Sequence, residues 1–76
     1  MEDLRAIRKG IARQAADAKS VEDLDKVIKE VARVFPIFED DRDEGYLLYK
    51  LVSRIHKHRR VLAYIERMDA LEGKQA

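Results

Sequence analysis

The segment Tyr46–Glu72, YLLYKLVSRIHKHRRVLAYIERMDALE, contains neither glycine nor proline and decides the fold. Apolar residues recur in it at spacings of three and four, which is the pattern of an amphipathic α-helix. It predicts a third helix over about residues 44–72, roughly 40 Å long at 1.5 Å per residue. The main apolar stripe of this helix comprises Leu47, Leu48, Leu51, Val52, Ile55, Leu62 and Ile65.

Two further helices precede this segment. Apolar spacing predicts the first over residues 2–19 and the second over 21–35. Ser20 resembles a capping-box residue at the start of the second helix, and Pro36 is expected to end it. Residues 36–45 then form an acidic loop, in which Asp41 or Asp43 caps the third helix. We expect one all-α domain over residues 1–76, a three-helix bundle or helical hairpin with a long third helix, and Gly73 as its stop.

The composition excludes several classes of protein. The chain has 76 residues and no cysteine, so disulfides and thiolate metal sites are excluded. Its net charge of +1 creates no bulk field that demands a polyanionic partner. No apolar run approaches the roughly 18 residues of a membrane span, and the N-terminus lacks the apolar core of a signal peptide. We therefore expect a soluble, cytoplasmic protein that does not bind membranes.

A second apolar stripe lies on another side of the third helix. Val61, Tyr64, Met68 and Leu71 follow the 3-4-3 spacing of a coiled-coil seam. Either the first helix wraps around to cover this stripe, or the stripe is an interface with a second copy or another protein. The first helix has a thin, alanine-rich apolar face, which favours the interface. We expect the four residues to anchor a protein partner, a second copy in a homodimer or another protein, with Arg60 and Arg67 at the rim.

Nucleic-acid binding is the alternative function. The stretch 54–60 holds four permanent cations and no acid, and tyrosines lie near it. The acidic loop, with a net charge of −4 over residues 39–44, is expected to neutralise part of this cluster, either in the same chain or across a dimer. The candidate nucleic-acid contacts are Arg54, Lys57, Arg59 and Arg60, with Arg5, Lys9 and Arg13 on the first helix. Residues 20–29, SVEDLDKVIK, resemble the second-helix segment of the small Hha/YmoA family of nucleoid-associated modulators, and that resemblance carries over no functional residue.

Catalytic and metal sites have little support. The only hydroxyl nucleophiles besides tyrosine are Ser20, which has a capping role, and Ser53, which lacks a base and an orienting group. His56 and His58 lie two residues apart on a helix and point about 160° away from each other, so they do not share an ion. The acidic loop does not fit the EF-hand pattern. We expect no enzyme activity, no cofactor and no metal.

These observations predict a small helical protein-interaction module. Such a chain acts as a regulator, inhibitor or adaptor by occluding or bridging a larger protein. A phage- or plasmid-encoded protein of this kind fits the size.

Overall fold

The chain folds into three α-helices. The computed structural model describes the backbone of residues 3–75 and the side chains up to Gly73. Helix α1 spans Leu4–Asp17, α2 spans Val21–Phe38 and α3 spans Arg42–Gln75. No strand occurs among the described residues. The prediction of an all-α chain with a long third helix is confirmed.

Side-chain contacts fix the order and direction of the helices. Arg8 in α1 bonds to Glu44 in the first turn of α3, so α1 and α3 start at the same end. The N–H of Val21 donates to Glu66 of α3 at 2.9 Å, which brings the start of α2 beside the far half of α3. Helix α2 therefore runs antiparallel to α1 and α3, and each helix contacts the other two.

Short polar side chains close the N-terminal ends of the helices. Asp3 accepts a hydrogen bond from the N–H of Ala6 at 3.1 Å. Ser20 accepts one from Asp23 at 3.1 Å, which confirms its predicted capping role. Asp41 accepts one from the N–H of Glu44 at 2.9 Å and so caps α3. These bonds satisfy backbone donors that have no partner inside a helix.

The core lies where the three helices meet, and α2 contributes most to it. Leu24 and Phe38 of α2 and Leu48 of α3 are the largest fully buried side chains. From α1 come Ile11 and Ala15, and the small size of Ala15 keeps the contribution of that helix modest. The other buried residues are Val27, Val31, Val34 and Ile55.

The prediction that Pro36 ends the second helix is wrong. Helix α2 continues through Pro36 to Phe38, and α3 begins at Arg42, so the predicted loop 36–45 shrinks to residues 39–41. Proline removes one backbone hydrogen bond, and here it does so in the last turn. The continued helix places Phe38 in the core at 1% exposure, and this burial outweighs the local cost.

Other helix ends also differ from their predicted positions. Helix α1 starts after its cap Asp3 and ends at Asp17 rather than residue 19; residue 2 lies outside the described residues. Helix α3 passes through Gly73, the predicted stop, to Gln75. Gly73 does not adopt a positive φ, so it does not form the left-handed cap that usually ends a helix. Residue 76, the predicted domain end, lies outside the described residues.

Gly45 allows the α2–α3 turn to close tightly. A Cβ atom built on Gly45 would lie 2.9 Å from the carbonyl oxygen of Phe38. Glycine is therefore required by close approach of two backbones and not by an unusual φ.

Within the described chain, none of the helices has the length and apolarity to cross a lipid bilayer.

Candidate interaction surface

Helix α3 extends beyond the helices that pack against it. It has 34 residues against 18 in α2 and 14 in α1, or about 50, 27 and 21 Å at 1.5 Å per residue. The molecule is accordingly a rod of 55 × 16 × 16 Å. Beyond Leu62 and Ala63, every described residue of α3 is exposed. We call residues 61–73 the tail.

The tail exposes a continuous apolar arc. Val61, Tyr64, Met68 and Leu71 are 56%, 65%, 38% and 47% exposed. At about 100° per residue they share one side of α3, opposite the buried Leu48. Arg60 and Arg67 are exposed beside them. The structure thus brings together the six residues predicted to bind a protein partner.

Of the two alternatives for this stripe, the structure does not support coverage by α1. Helix α1 ends at Asp17, and the stripe residues remain exposed. Two members of the predicted core stripe are also exposed: Ile65 at 45% and Leu47 at 40%. Ile65 extends the side of α3 that faces α1, but α1 stops before reaching it. The exposed arc of the tail is therefore wider than the four-residue seam.

A shallow groove separates α1 from α3. Its volume is about 290 Å³. Its floor is apolar, and the α1 side is built from small side chains only, because all the α1 residues there are alanines. One arginine and one histidine of α3 also line the groove. The lining residues are Ala12, Ala15, Ala16, Leu51, Arg54, Ile55 and His58.

Most of the predicted nucleic-acid contacts are exposed cations. Arg54, Lys57 and Arg60 are exposed and make no ion pair with any described residue. Arg59 is different, because it donates to Asp25 of α2 at 2.7 Å. That hydrogen bond lowers the pKa of the Asp25 carboxyl below its ordinary value. Arg59 thus serves the α2–α3 contact.

Within one chain, the described residues of the acidic loop make no ion pair with the basic stretch of α3. Glu44 bonds to Arg8 of α1 instead. Residues 45–65 contain five lysines and arginines and no acid, so this stretch carries a formal charge of +5. Lys50 belongs to it and lies over the ring of Tyr46 at 5.6 Å. The small net charge of the whole chain therefore conceals a strongly basic segment.

Two residues of the tail surface were not among the predicted contacts. Ile65 was assigned to the core, and Glu72 was given no role. The length of the third helix could have revealed both residues, because neither α1 nor α2 is long enough to cover all of it.

Comparisons with protein-family models, with curated proteins and with solved structures find no match.

Proposed function

We propose that this chain is a protein-interaction module that binds through the α3 tail and regulates, inhibits or bridges a larger protein. Val61, Tyr64, Met68 and Leu71 are the anchors, and Arg60 and Arg67 form the rim. The observation that carries the proposal is the exposure of these apolar side chains on a helix that projects past its own bundle.

The physical reason for proposing an interface here is that an isolated tail exposes apolar surface to water and has little to stabilise its helix. Contiguous apolar surface on a soluble chain commonly marks an interaction site. A helical segment of about three turns is also marginal in water unless something packs against it. A partner that covers the arc would bury apolar area and stabilise the helix at the same time.

The partner that fits is a protein with an apolar groove. An amphipathic helix docks in such a groove through residues spaced three and four apart. Carboxylates along one edge of the groove would face Arg60 and Arg67. Tyrosine and arginine are frequent among the residues that dominate binding energy.

The test uses two aspartates introduced into the same tail. Met68→Asp places a charge on the apolar arc, whereas Ala70→Asp places it about 160° away on the opposite side of α3. Both substitutions add one negative charge, and Ala70, like Met68, is exposed. We expect Met68→Asp to abolish protein association, both with itself and with host proteins captured on the immobilised chain, and Ala70→Asp to retain it. Retention of every association by Met68→Asp would refute the proposal.

Nucleic-acid binding is a second candidate function, favoured by the acid-free stretch 45–65. Lys50 and Lys57 lie on the outward side of α3, where Tyr46, Tyr49 and Tyr64 are exposed. Cations that track phosphates and aromatic rings that stack on bases make up a single-strand binding surface.

Salt dependence tests this candidate. We expect a labelled 20-nucleotide DNA or RNA to bind with an affinity that falls steeply as salt rises. Lys50→Glu with Lys57→Glu should abolish binding, while Lys26→Glu with Lys29→Glu on α2 makes the same charge change elsewhere and should weaken it only slightly. Absence of binding at low salt would remove the candidate.

A further inference from the structure

One stripe of α3 joins the groove to the tail. Its six members, Arg54, His58, Val61, Ile65, Met68 and Glu72, are spaced 4-3-4-3-4. This is the spacing of a two-helix coiled-coil seam. At about 100° per residue the six residues stay within an arc of about 80°.

No helix among the described residues covers this stripe. Helix α1 ends at Asp17, and His58, which lines the groove beside Ala12 and Ala16, is the only half-buried member. Val61, Ile65 and Met68 are all exposed. Because α3 is one continuous helix, its tail cannot fold back onto its own groove. Within the described residues, α1 and α2 therefore leave the stripe open to a helix from a second molecule.

The charges at the ends of the stripe determine which pairing suits two copies. A cation, Arg54, stands at one end and an acid, Glu72, at the other. In a parallel pair each arginine would meet the arginine of the other copy, and each glutamate the other glutamate. In an antiparallel pair Arg54 of each copy meets Glu72 of the other, twice. Like charges in contact are destabilising, so the antiparallel pair is favoured.

We propose that two copies associate through an antiparallel pair of α3 helices, with the tail of each lying over the α1–α3 groove of the other. In this register Val61 of one copy lies opposite Ile65 of the second, and His58 lies opposite Met68. The proposal rests on the proposed function, since it names a second copy as one protein that the tail binds.

The groove suits a helix from the second copy. Ala12 and Ala16 leave room for close approach, and Leu51 and Ile55 provide an apolar floor. Arg54 stands at the edge of the groove, where it meets a carboxylate of the incoming tail. In this dimer the exposed stripe of each tail packs on the α1–α3 groove of the other copy.

The antiparallel pair leaves part of each tail free. Tyr64 and Leu71 lie on the other edge of the apolar arc, next to Arg60 and Arg67. In the dimer these residues face outward at two symmetry-related positions. A dimer built this way presents two equivalent surfaces for a larger protein and can bridge two molecules of it.

A charge exchange tests the pairing. Arg54→Glu places two acids opposite each other at both ends of the dimer, and Glu72→Arg places two cations there. We expect each variant alone to be monomeric by sedimentation at concentrations where the wild type is dimeric, with Kd raised about tenfold or more. An equimolar mixture of the two variants restores both opposite-charge contacts, so we expect it to recover the dimer mass.

A control variant and the results that would contradict the dimer distinguish antiparallel self-pairing from protein binding through the tail in general. Arg67→Glu changes a charge of the same tail outside the stripe, and we expect it to leave the dimer intact. A wild type that stays monomeric at millimolar concentration overturns the self-pairing. So does a dimer that Met68→Asp abolishes but Arg54→Glu and Glu72→Arg leave unchanged, and in that case the tail remains the interface. If Met68→Asp retains all associations, the proposed function fails as well.

Discussion

The guanidinium of Arg8, in the second turn of α1, donates to the carboxylate of Glu44, in the first turn of α3, across 2.6 Å, although the two residues are 36 apart in sequence. Both side chains are largely shielded, at 20% and 19% exposure. The Arg59–Asp25 pair, at 39% and 45%, lies much closer to solvent. Because water screens exposed charges, the two pairs differ in their expected contribution to stability.

Double-mutant cycles should show this difference. We expect Arg8→Gln and Glu44→Gln to be coupled by about 1 kcal/mol in urea unfolding, the upper end for pairs of this kind. Coupling between Arg59→Gln and Asp25→Asn should be smaller. Equal coupling energies, or a larger one for the exposed pair, would show that burial does not set the strength of these contacts.

Acid should remove the contribution of Asp25. The hydrogen bond from Arg59 lowers the pKa of this carboxyl in the folded state, so its stabilising effect is present above the unfolded value of about 3.9. The effect is lost as the pH falls through the lower folded pKa. Asp25→Asn should therefore lower Tm at pH 7 and make little difference at pH 2. The exposed Asp40→Asn is the control, and a Tm gap for Asp25→Asn that persists at pH 2 would contradict this assignment.

Alanine scanning of the glycines should give opposite signs at different positions. A Cβ at Gly45 meets the carbonyl oxygen of Phe38, so Gly45→Ala should cost about 1–3 kcal/mol of unfolding free energy. Nothing lies within 4 Å of a Cβ at Gly10. Gly10→Ala should therefore stabilise by about 0.5–1 kcal/mol through helix propensity. Chemical denaturation measures both variants, and stabilisation by Gly45→Ala would show that the turn has room to relax.

Hydrogen exchange should report on the tail. In dilute solution we expect amides of residues 67–73 to exchange rapidly, because every residue there is exposed. Amides beside Leu48 and Ile55 should be protected. Protection of the tail should rise with protein concentration in the wild type and not in Met68→Asp. A tail already protected at nanomolar concentration in the monomer would indicate that the bundle itself covers it.

Apolar periodicity was sufficient to predict that three helices form, but not to predict the residues at which they end. The cap Ser20 follows from local chemistry, because a short polar side chain before an apolar pattern satisfies free N–H groups. For α3 the same chemistry left Asp41 and Asp43 as alternatives, and the structure shows Asp41 as the cap. The helix end predicted at Pro36 was wrong because the free-energy cost of a proline in the helix competes with the gain from burying Phe38. That gain depends on the whole core and is not visible in the local sequence. Gly73 misled because glycine is tolerated in a helix as well as at its end.

The candidate interaction surface was also predictable only in part, because periodicity shows which residues share a face but not what packs against them. The spacing of Val61, Tyr64, Met68 and Leu71 revealed an apolar face without showing what covers it. Ile65 has the periodicity of a core residue, and only the end of α1 at Asp17 shows that it lies beyond the core. The partners of Arg8 and Arg59 depend on the register between helices, which a single-sequence pattern does not contain.

The continuity of α3 couples the proposed binding through the tail to the folding of the chain. The helix that supplies Leu48 and Ile55 to the core also carries the tail, with no hinge between them in the described chain. A ligand that binds only the folded chain raises its apparent stability by mass action. If the tail binds as proposed, the melting temperature of the chain should therefore rise with its own concentration and with that of the proposed partner. Loss of that partner should then speed degradation of the chain in the cell.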